Sequence, residues 1–268
     1  MNPVAWASLA GLAALGLGFS LRFTFWRPDL PGVPILMYHF LTDNLYRTKL
    51  KKLRVSPRTF YRQLDFLGEN GYKTINLHDL HRSLRGGTPL PEKPVVITFD
   101  DGDRESVLLA RDALSARGFF GVVFIVSSRI GQTNDWDRGK GEPEFELLRM
   151  TDLLSLTEDG WDVGSHGWTH SDLTGKDDQT LTRELSQSKS ELEALLGREV
   201  IALSYPYGLN DRRVREAAQK AGYKLGLTTR HGKNVPGDDP WSLKRIIIKR
   251  KDLLLDFSLK LGKGRSTL

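Results

Sequence analysis

The chain has no cysteine, which excludes disulfides and thiolate metal sites; any metal it holds must be bound by His, Asp or Glu. It also lacks a basic stripe with interleaved aromatics. Lys and Arg outnumber Asp and Glu by 39 to 33, but the charges are scattered along the sequence. That speaks against a nucleic-acid partner and for a solvated surface, with attraction to an anionic cell surface as the lesser alternative. No internal repeat or low-complexity tract is present, so repeat architectures are excluded. The 268 residues suffice for one large domain and match the usual size of a single α/β barrel.

Charge is missing altogether from residues 4–21, a stretch rich in Ala, Leu and Gly. At about 1.5 Å per residue, such a run as a helix nearly crosses a hydrocarbon core of about 30 Å. Residues 1–27 are therefore expected to be a transmembrane anchor or uncleaved signal that tethers the rest outside the cytoplasm. A cleavable signal would carry its basic residues ahead of the run and a small-x-small site after it, whereas Arg22 and Arg27 follow it. Those two arginines cast a weak vote the other way, for the cytoplasmic side. A buried core helix is the alternative, disfavoured by the missing polar face and by the break at Pro28, Pro31 and Pro34.

Residues 28–268 read as one domain of strands alternating with helices. A strand over 33–38 ends at His39. Ser56 and Pro57 then open a helix whose apolar stripe is Phe60, Leu64 and Leu67 and which Gly71 closes. A strand over 72–77, a short helical piece around Leu80 and Leu84, and a central strand ending at Phe99 follow. Beyond it come helix 104–117, strand 119–126, helix 151–159, strand 161–165, helix 178–196, strand 200–205, helix 210–221, and strands 223–228 and 243–248. Such alternation predicts parallel βαβ units, and their number predicts a barrel, with a doubly wound open sheet as the alternative. Residues 131–146 form a long polar loop, expected at the rim.

Three stretches carry chemistry. The central strand stops in Asp100-Asp101-Gly102, two carboxylates that point apart unless the backbone turns, as Gly102 permits. One can then face a metal and the other a reacting water; an Asx turn or helix cap is the plain alternative. His166 and His170, four apart just past another strand, have a metal-ligand spacing, or are two unrelated loop histidines. Gly167 stands where a zinc-protease helix motif needs Glu, so a base must come from elsewhere, and Asp100 is available. The third stretch, Ser204-Tyr205-Pro206-Tyr207-Gly208, is a restricted aromatic turn. His39, both aspartates, both histidines and Tyr207 all fall at the C-terminal ends of predicted parallel strands, the catalytic face of such barrels.

Thr98-Phe99-Asp100-Asp101-Gly102, the His166-xxx-His170 pair and the Tyr-Pro-Tyr-Gly turn resemble the polysaccharide deacetylases with a NodB-homology domain, carbohydrate esterase family four, over roughly residues 34–248. The start, Pro34-Ile35-Leu36-Met37-Tyr38-His39, resembles the branch that includes the poly-N-acetylglucosamine deacetylases. The resemblance implies a distorted (β/α) barrel and hydrolysis of N-acetyl groups on a polysaccharide. It implies that Asp101, His166 and His170 hold a divalent metal, usually zinc. Asp100 would take a proton from water, His39 would protonate the leaving amine, and the Tyr207 N–H would help to hold the oxyanion. Pro206, Trp241 and Arg245 join Tyr207 as expected substrate-binding residues.

Two departures stand out. The family Arg that orients the base is replaced by Ser204, and Arg245 is the expected substitute from a neighbouring strand, its alternative being a surface residue snorkelling its stem. The late Leu-x-His motif is absent, and nothing in the sequence accounts for Asp103. Two other readings remain open. One is a carbohydrate-binding surface protein that has lost catalysis, against which the full Asp-His-His set beside a base argues. The other is an amide hydrolase for small non-sugar substrates, against which the anchor argues.

Overall fold

Strand runs apolar on both faces, separated by helices with one apolar stripe, are satisfied by a parallel sheet curled on itself and wrapped by helices. The computed structural model describes residues 6–8, 10–12, 16–18, 28–87 and 89–265 and has this arrangement. Among the described residues no helix is long and apolar enough to cross a membrane; the expected transmembrane span, residues 4–21, lies largely outside the described residues.

The strands are β1 (Ile35–Tyr38), β2 (Phe40–Leu41), β3 (Arg54–Val55), β4 (Lys73–Thr74), β5 (Pro94–Phe99), β6 (Val122–Ile125), β7 (Asp162–Ser165), β8 (Ala202–Ser204), β9 (Leu225–Leu227) and β10 (Ile246–Ile247). The main sheet runs β10-β1-β5-β6-β7-β8-β9 with β4 beside the start of β5, and every pairing is parallel. Residues 243–247 curl it towards closure. Leu243 bridges to Leu227 of β9, while Ile246 pairs with Leu36 of β1. The result is a distorted parallel barrel, and an open doubly wound sheet is ruled out.

Period-two alternation divides the core in two. Ile35, Val96, Val122, Phe124, Ala202, Leu225, Leu227 and Leu243 face the barrel axis, where the helix Leu77–Leu84 plugs the N-terminal end with Leu77, Leu80 and Leu84. Leu36, Ile97, Phe99, Val123, Ile125, Leu203 and Ile246 face outward under the helices. Each fully buried side chain of this size stabilises by about 1.5–3 kcal/mol.

Local chemistry sets the helix ends. Ser56 accepts from the Thr59 N–H at 3.1 Å, and Gly197, at φ +64°, ends the helix Asp178–Leu196 in the left-handed region. Asp103 finds its explanation as the N-cap of the helix Arg104–Ser115, accepting from the Ser106 N–H at 3.0 Å. Leu77, expected at a strand end, begins a helix instead, because the Asn76 side chain caps it through the Asp79 N–H at 2.7 Å. The helix Leu254–Lys263, not anticipated from sequence, packs Phe257 edge-on against Phe66 at 5.9 Å.

Gly164 in β7 faces the axis where Phe124 fills it: a Cβ there would overlap the Phe124 ring and lie 3.1 Å from the Ala202 carbonyl oxygen. Gly164→Ala should therefore cost about 1–3 kcal/mol through overpacking, seen as a lower urea midpoint with unchanged m-value. An unchanged midpoint would mean that the ring can move aside.

Candidate active site

The inward parity that builds the core also builds the site. Continued past the apolar layers, the inward positions become Met37 in β1 and His39 after it, Thr98 in β5 and Asp100 after it, His166 after β7, Ser204 on β8, and Arg245 and Ile247 at β10. Polar groups thus collect at the C-terminal end of the barrel. A cavity of about 510 Å³ opens there, lined by Met37, His39, Asp100, Asp101, His166, His170 and Tyr207 among others.

Beneath the cavity Arg245, 1% exposed, grips Asp100 with two parallel bonds: Nη1 to Oδ1 and Nη2 to Oδ2, both 2.7 Å. Arg245 Nη2 also donates to Ser204 Oγ at 3.0 Å, Ser204 Oγ donates to Asp100 Oδ2 at 3.2 Å, and Arg245 Nε donates to the Thr228 carbonyl at 3.0 Å. Burial pushes the Asp100 carboxyl up, but the Arg245 guanidinium, His166 and the guanidinium hydrogen bonds outweigh it, and the group stays below its ordinary value. The acid is therefore held ionised and fixed in orientation. Arg245 thus takes the place expected of a substitute for the family Arg, its inward position pointing it into the barrel under Asp100, and it does not line the cavity as a substrate contact.

Asp101 reaches the same space by a backbone reversal. Its φ of +71°, followed by +80° at Gly102, turns two successive carboxylates to one side. Asp101 Oδ1 lies 3.3 Å from Nε2 of both His166 and His170, and ligand atoms of the three residues are all within 4.8 Å of one another. His166 Nδ1 is 2.7 Å from the Ser204 carbonyl oxygen, so this nitrogen carries the proton and Nε2 presents its lone pair. One carboxylate and two imidazoles converging on a buried point fit a divalent cation. Burial raises the Asp101 carboxyl and the two neighbouring imidazoles lower it; the imidazoles prevail, leaving the carboxyl well below its ordinary value.

The comparisons with known proteins agree with this geometry. The family model described as polysaccharide deacetylase matches residues 87–226, more than half of the chain. The chain belongs to the polysaccharide deacetylase family. The poly-β-1,6-N-acetyl-D-glucosamine N-deacetylase of Staphylococcus epidermidis is 26% identical over 212 residues, covering 75% of this chain and 70% of that protein. The crystal structure of BC0361, a polysaccharide deacetylase from Bacillus cereus, superposes with a TM-score of 0.72 at 26% identity over 86% of this chain and 69% of its own. The Streptococcus pyogenes deacetylase PplD, solved in complex with acetate, shares the fold with a TM-score of 0.76 at 24% identity, covering 88% of this chain and 100% of that one.

Within this deacetylase fold the remaining expected residues fall out as follows. His39 lines the cavity and its Nδ1 is buried without a partner among the described residues. Burial lowers its imidazole below the ordinary value, against the opposing pull of Asp101 and Asp100. Tyr207, at φ +59°, stands half exposed at the rim with its ring 4.8 Å from that of His170. Pro206 is buried and does not reach the cavity; it supports the histidine turn from behind, its Cγ 3.5 Å from where a Cβ on Gly167 would sit. Trp241 is not brought to the site. It lies at the other end of β9, its indole N–H donating to the Tyr223 carbonyl at 3.2 Å, because the chain passes it before β10 climbs the barrel.

Sequence reasoning missed two groups. Trp136, from the 131–146 loop, stacks on His170 at 4.7 Å. Glu184 is 3% exposed and holds the histidine turn from the helix Asp178–Leu196: its carboxylate accepts the Trp168 and Thr169 N–H groups at 3.0 Å each, and the Thr169 hydroxyl as well. A signal was there, since Glu184 occupies the apolar stripe of Leu181, Leu185 and Leu192.

Arg245→Ala should lower stability by about 3–5 kcal/mol, since it leaves a buried carboxylate uncompensated. The depressed Asp100 pKa contributes stability above the unfolded carboxyl value of about 3.9, lost as pH falls through the folded one. The deficit of the variant should therefore narrow in acid, where Asp100 protonates; a pH-independent deficit would mean lost packing alone. Glu184→Ala should leave cooperative unfolding intact but weaken divalent-metal affinity by about 10- to 100-fold in competition with a chelating dye, with Glu184→Gln between the two. Unchanged affinity would show that the turn holds itself.

Proposed function

We propose that the chain is a metal-dependent hydrolase that removes N-acetyl groups from an N-acetylglucosamine-containing polysaccharide of the cell wall or an exopolysaccharide. One observation carries the reading: an Asp-His-His donor set and an ionised carboxylate clamped by Arg245 open into a single cavity. The name of the Staphylococcus epidermidis relative supports the sugar. A metal at Asp101, His166 and His170 would polarise the amide carbonyl and make bound water acidic near neutral pH. Asp100 takes the proton of the attacking water; it cannot swing away, because Arg245 and Ser204 hold both its oxygens. His39 in its charged form delivers a proton to the leaving sugar amine; Asp101 and Asp100 favour that form against burial, so His39 takes up the proton before it gives it. The Tyr207 N–H, on a strained turn, donates to the developing oxyanion. Residues 4–21 tether the domain outside the cytoplasm in this reading.

The two aspartates separate the roles. Asp101→Asn should lose metal and activity together, with partial rescue by excess zinc. Asp100→Asn should keep its metal and lose turnover by about a hundredfold to ten-thousandfold with little change in KM. His39→Ala should keep its metal and fall by about a hundredfold or more. Elemental analysis beside deacetylation of poly-N-acetylglucosamine, peptidoglycan and chitin oligomers checks all three. Equal metal loss in both aspartate variants would make the carboxylates joint ligands, and an active Asp100→Asn would remove the base.

A further inference from the structure

Two segments that leave the C-terminal ends of neighbouring strands meet beside the cavity mouth. After β1, residues 45–53 carry Arg47, Lys49, Lys51 and Lys52 together with Tyr46, which is 68% exposed. After β10 come Lys249, Arg250 and Lys251 and then three leucines, Leu253, Leu254 and Leu255, exposed by 70, 44 and 40%. Arg250 joins the two: its N–H donates to the Lys52 carbonyl at 2.9 Å, and its guanidinium reaches the carbonyl of Arg54 at 3.2 Å and the Asp43 carboxylate at 3.6 Å. Asp43 offsets Arg250, but the other nearby acids do not neutralise this surface. Asp252 binds the buried Lys260 at 2.5 Å, Asp256 is buried and caps Leu253, and Glu142 faces Arg54 at 3.4 Å. Charges scattered in the sequence are thus gathered on one rim.

The leucines are exposed for a definite reason. The helix Leu254–Lys263 buries Asp256, Phe257, Lys260 and Leu261 against the barrel, which turns residues 253–255 to solvent. Three adjacent exposed leucines that follow Lys249, Arg250 and Lys251 form a clustered apolar tip rather than the singly scattered apolar surface normal for a soluble protein. We propose that this rim docks on an anionic lipid bilayer, with the cavity mouth turned towards the membrane surface. Apolar tips entering the headgroup region while lysines meet anionic headgroups are the arrangement of interfacial proteins. A soluble polyanion would satisfy the cations but give the leucines nothing to enter. The proposal goes beyond the deacetylation reading and stands or falls separately from it.

Because the chain has no cysteine, single labels test this cleanly in the full-length protein. Leu254→Cys carries a polarity-sensitive fluorophore, and His78→Cys carries the same label on the helix plugging the opposite end of the barrel. Vesicles of phosphatidylcholine with 30% phosphatidylglycerol should blue-shift the label at 254 and expose it to quenching by nitroxide lipids, with the effect fading in high salt. The label at 78 should stay as in water. The paired substitution Lys51→Glu, Lys251→Glu should abolish the blue shift and the quenching at 254 on anionic vesicles even where residues 4–21 keep the protein bound. The difference between lipids and between label positions isolates the rim from any contribution of residues 4–21. No response at 254, an equal response at both labels, or a response to soluble polyglutamate matching that to vesicles would overturn the proposal. A folded protein that deacetylates but fails this test loses only the docking face.

Discussion

A guanidinium buried against a carboxylate at the top of the barrel is the constraint on which the site depends. Neither Asp100 nor Arg245 could be buried alone, because an isolated charge in that setting is far costlier than the pair with its bonds satisfied. Together, with Ser204 and the Thr228 carbonyl completing their bonds, they close the barrel interior and present one oriented carboxylate to the cavity. Strand parity then fixes what stands around it: His39, His166 and the Ser204 carbonyl that sets the His166 tautomer. The chemistry of the top layer is a continuation of the packing rule of the layers below.

Rigidity is supplied from outside the barrel. Asp101, His170 and Tyr207 all hold positive φ without being glycine, a cost of about 1–3 kcal/mol each that persists only where the surroundings over-determine it. For the histidine turn the surroundings are Glu184, Pro206 and Trp136, each from a different element. Preorganisation of this sort suits a site whose work is electrostatic.

Much of this was legible in the sequence, and the reason is local. Motifs that end strands, caps such as Ser56 and Gly197, and apolar stripes are short-range signals, and they placed the strands, most helices and the catalytic end. What depends on distant partners was harder to read. Arg245 could be nominated as the missing guanidinium pointing into the barrel, but a surface orientation stayed open, since only the register of β10 on β1 shows which way it points. Trp241 was assigned to the wrong end of the barrel, as an aromatic near a strand gives no hint of which end it serves. The helix Leu254–Lys263 lacked a clean stripe, because it buries Asp256 and Lys260 in the same face as Phe257. Lys51 and Lys251, scattered in the sequence, reach one rim for a similar reason: they are two hundred residues apart in the chain and are brought together only through Arg250.

The pairing of Asp100 with Arg245 also ties the site to the order in which the chain is made. Asp100 directly follows β5, whose partners β1, β4 and β6 are near it in sequence, whereas its counter-ion comes 145 residues later beside the last strand. A growing chain holding only the first strands has an ionised carboxylate with no partner, which opposes its sealing into a dry core. Domains of this size dominated by long-range contacts fold slowly and late in synthesis. With the counter-ion placed beside β10, the barrel interior cannot close over a paired Asp100 until that strand is in place.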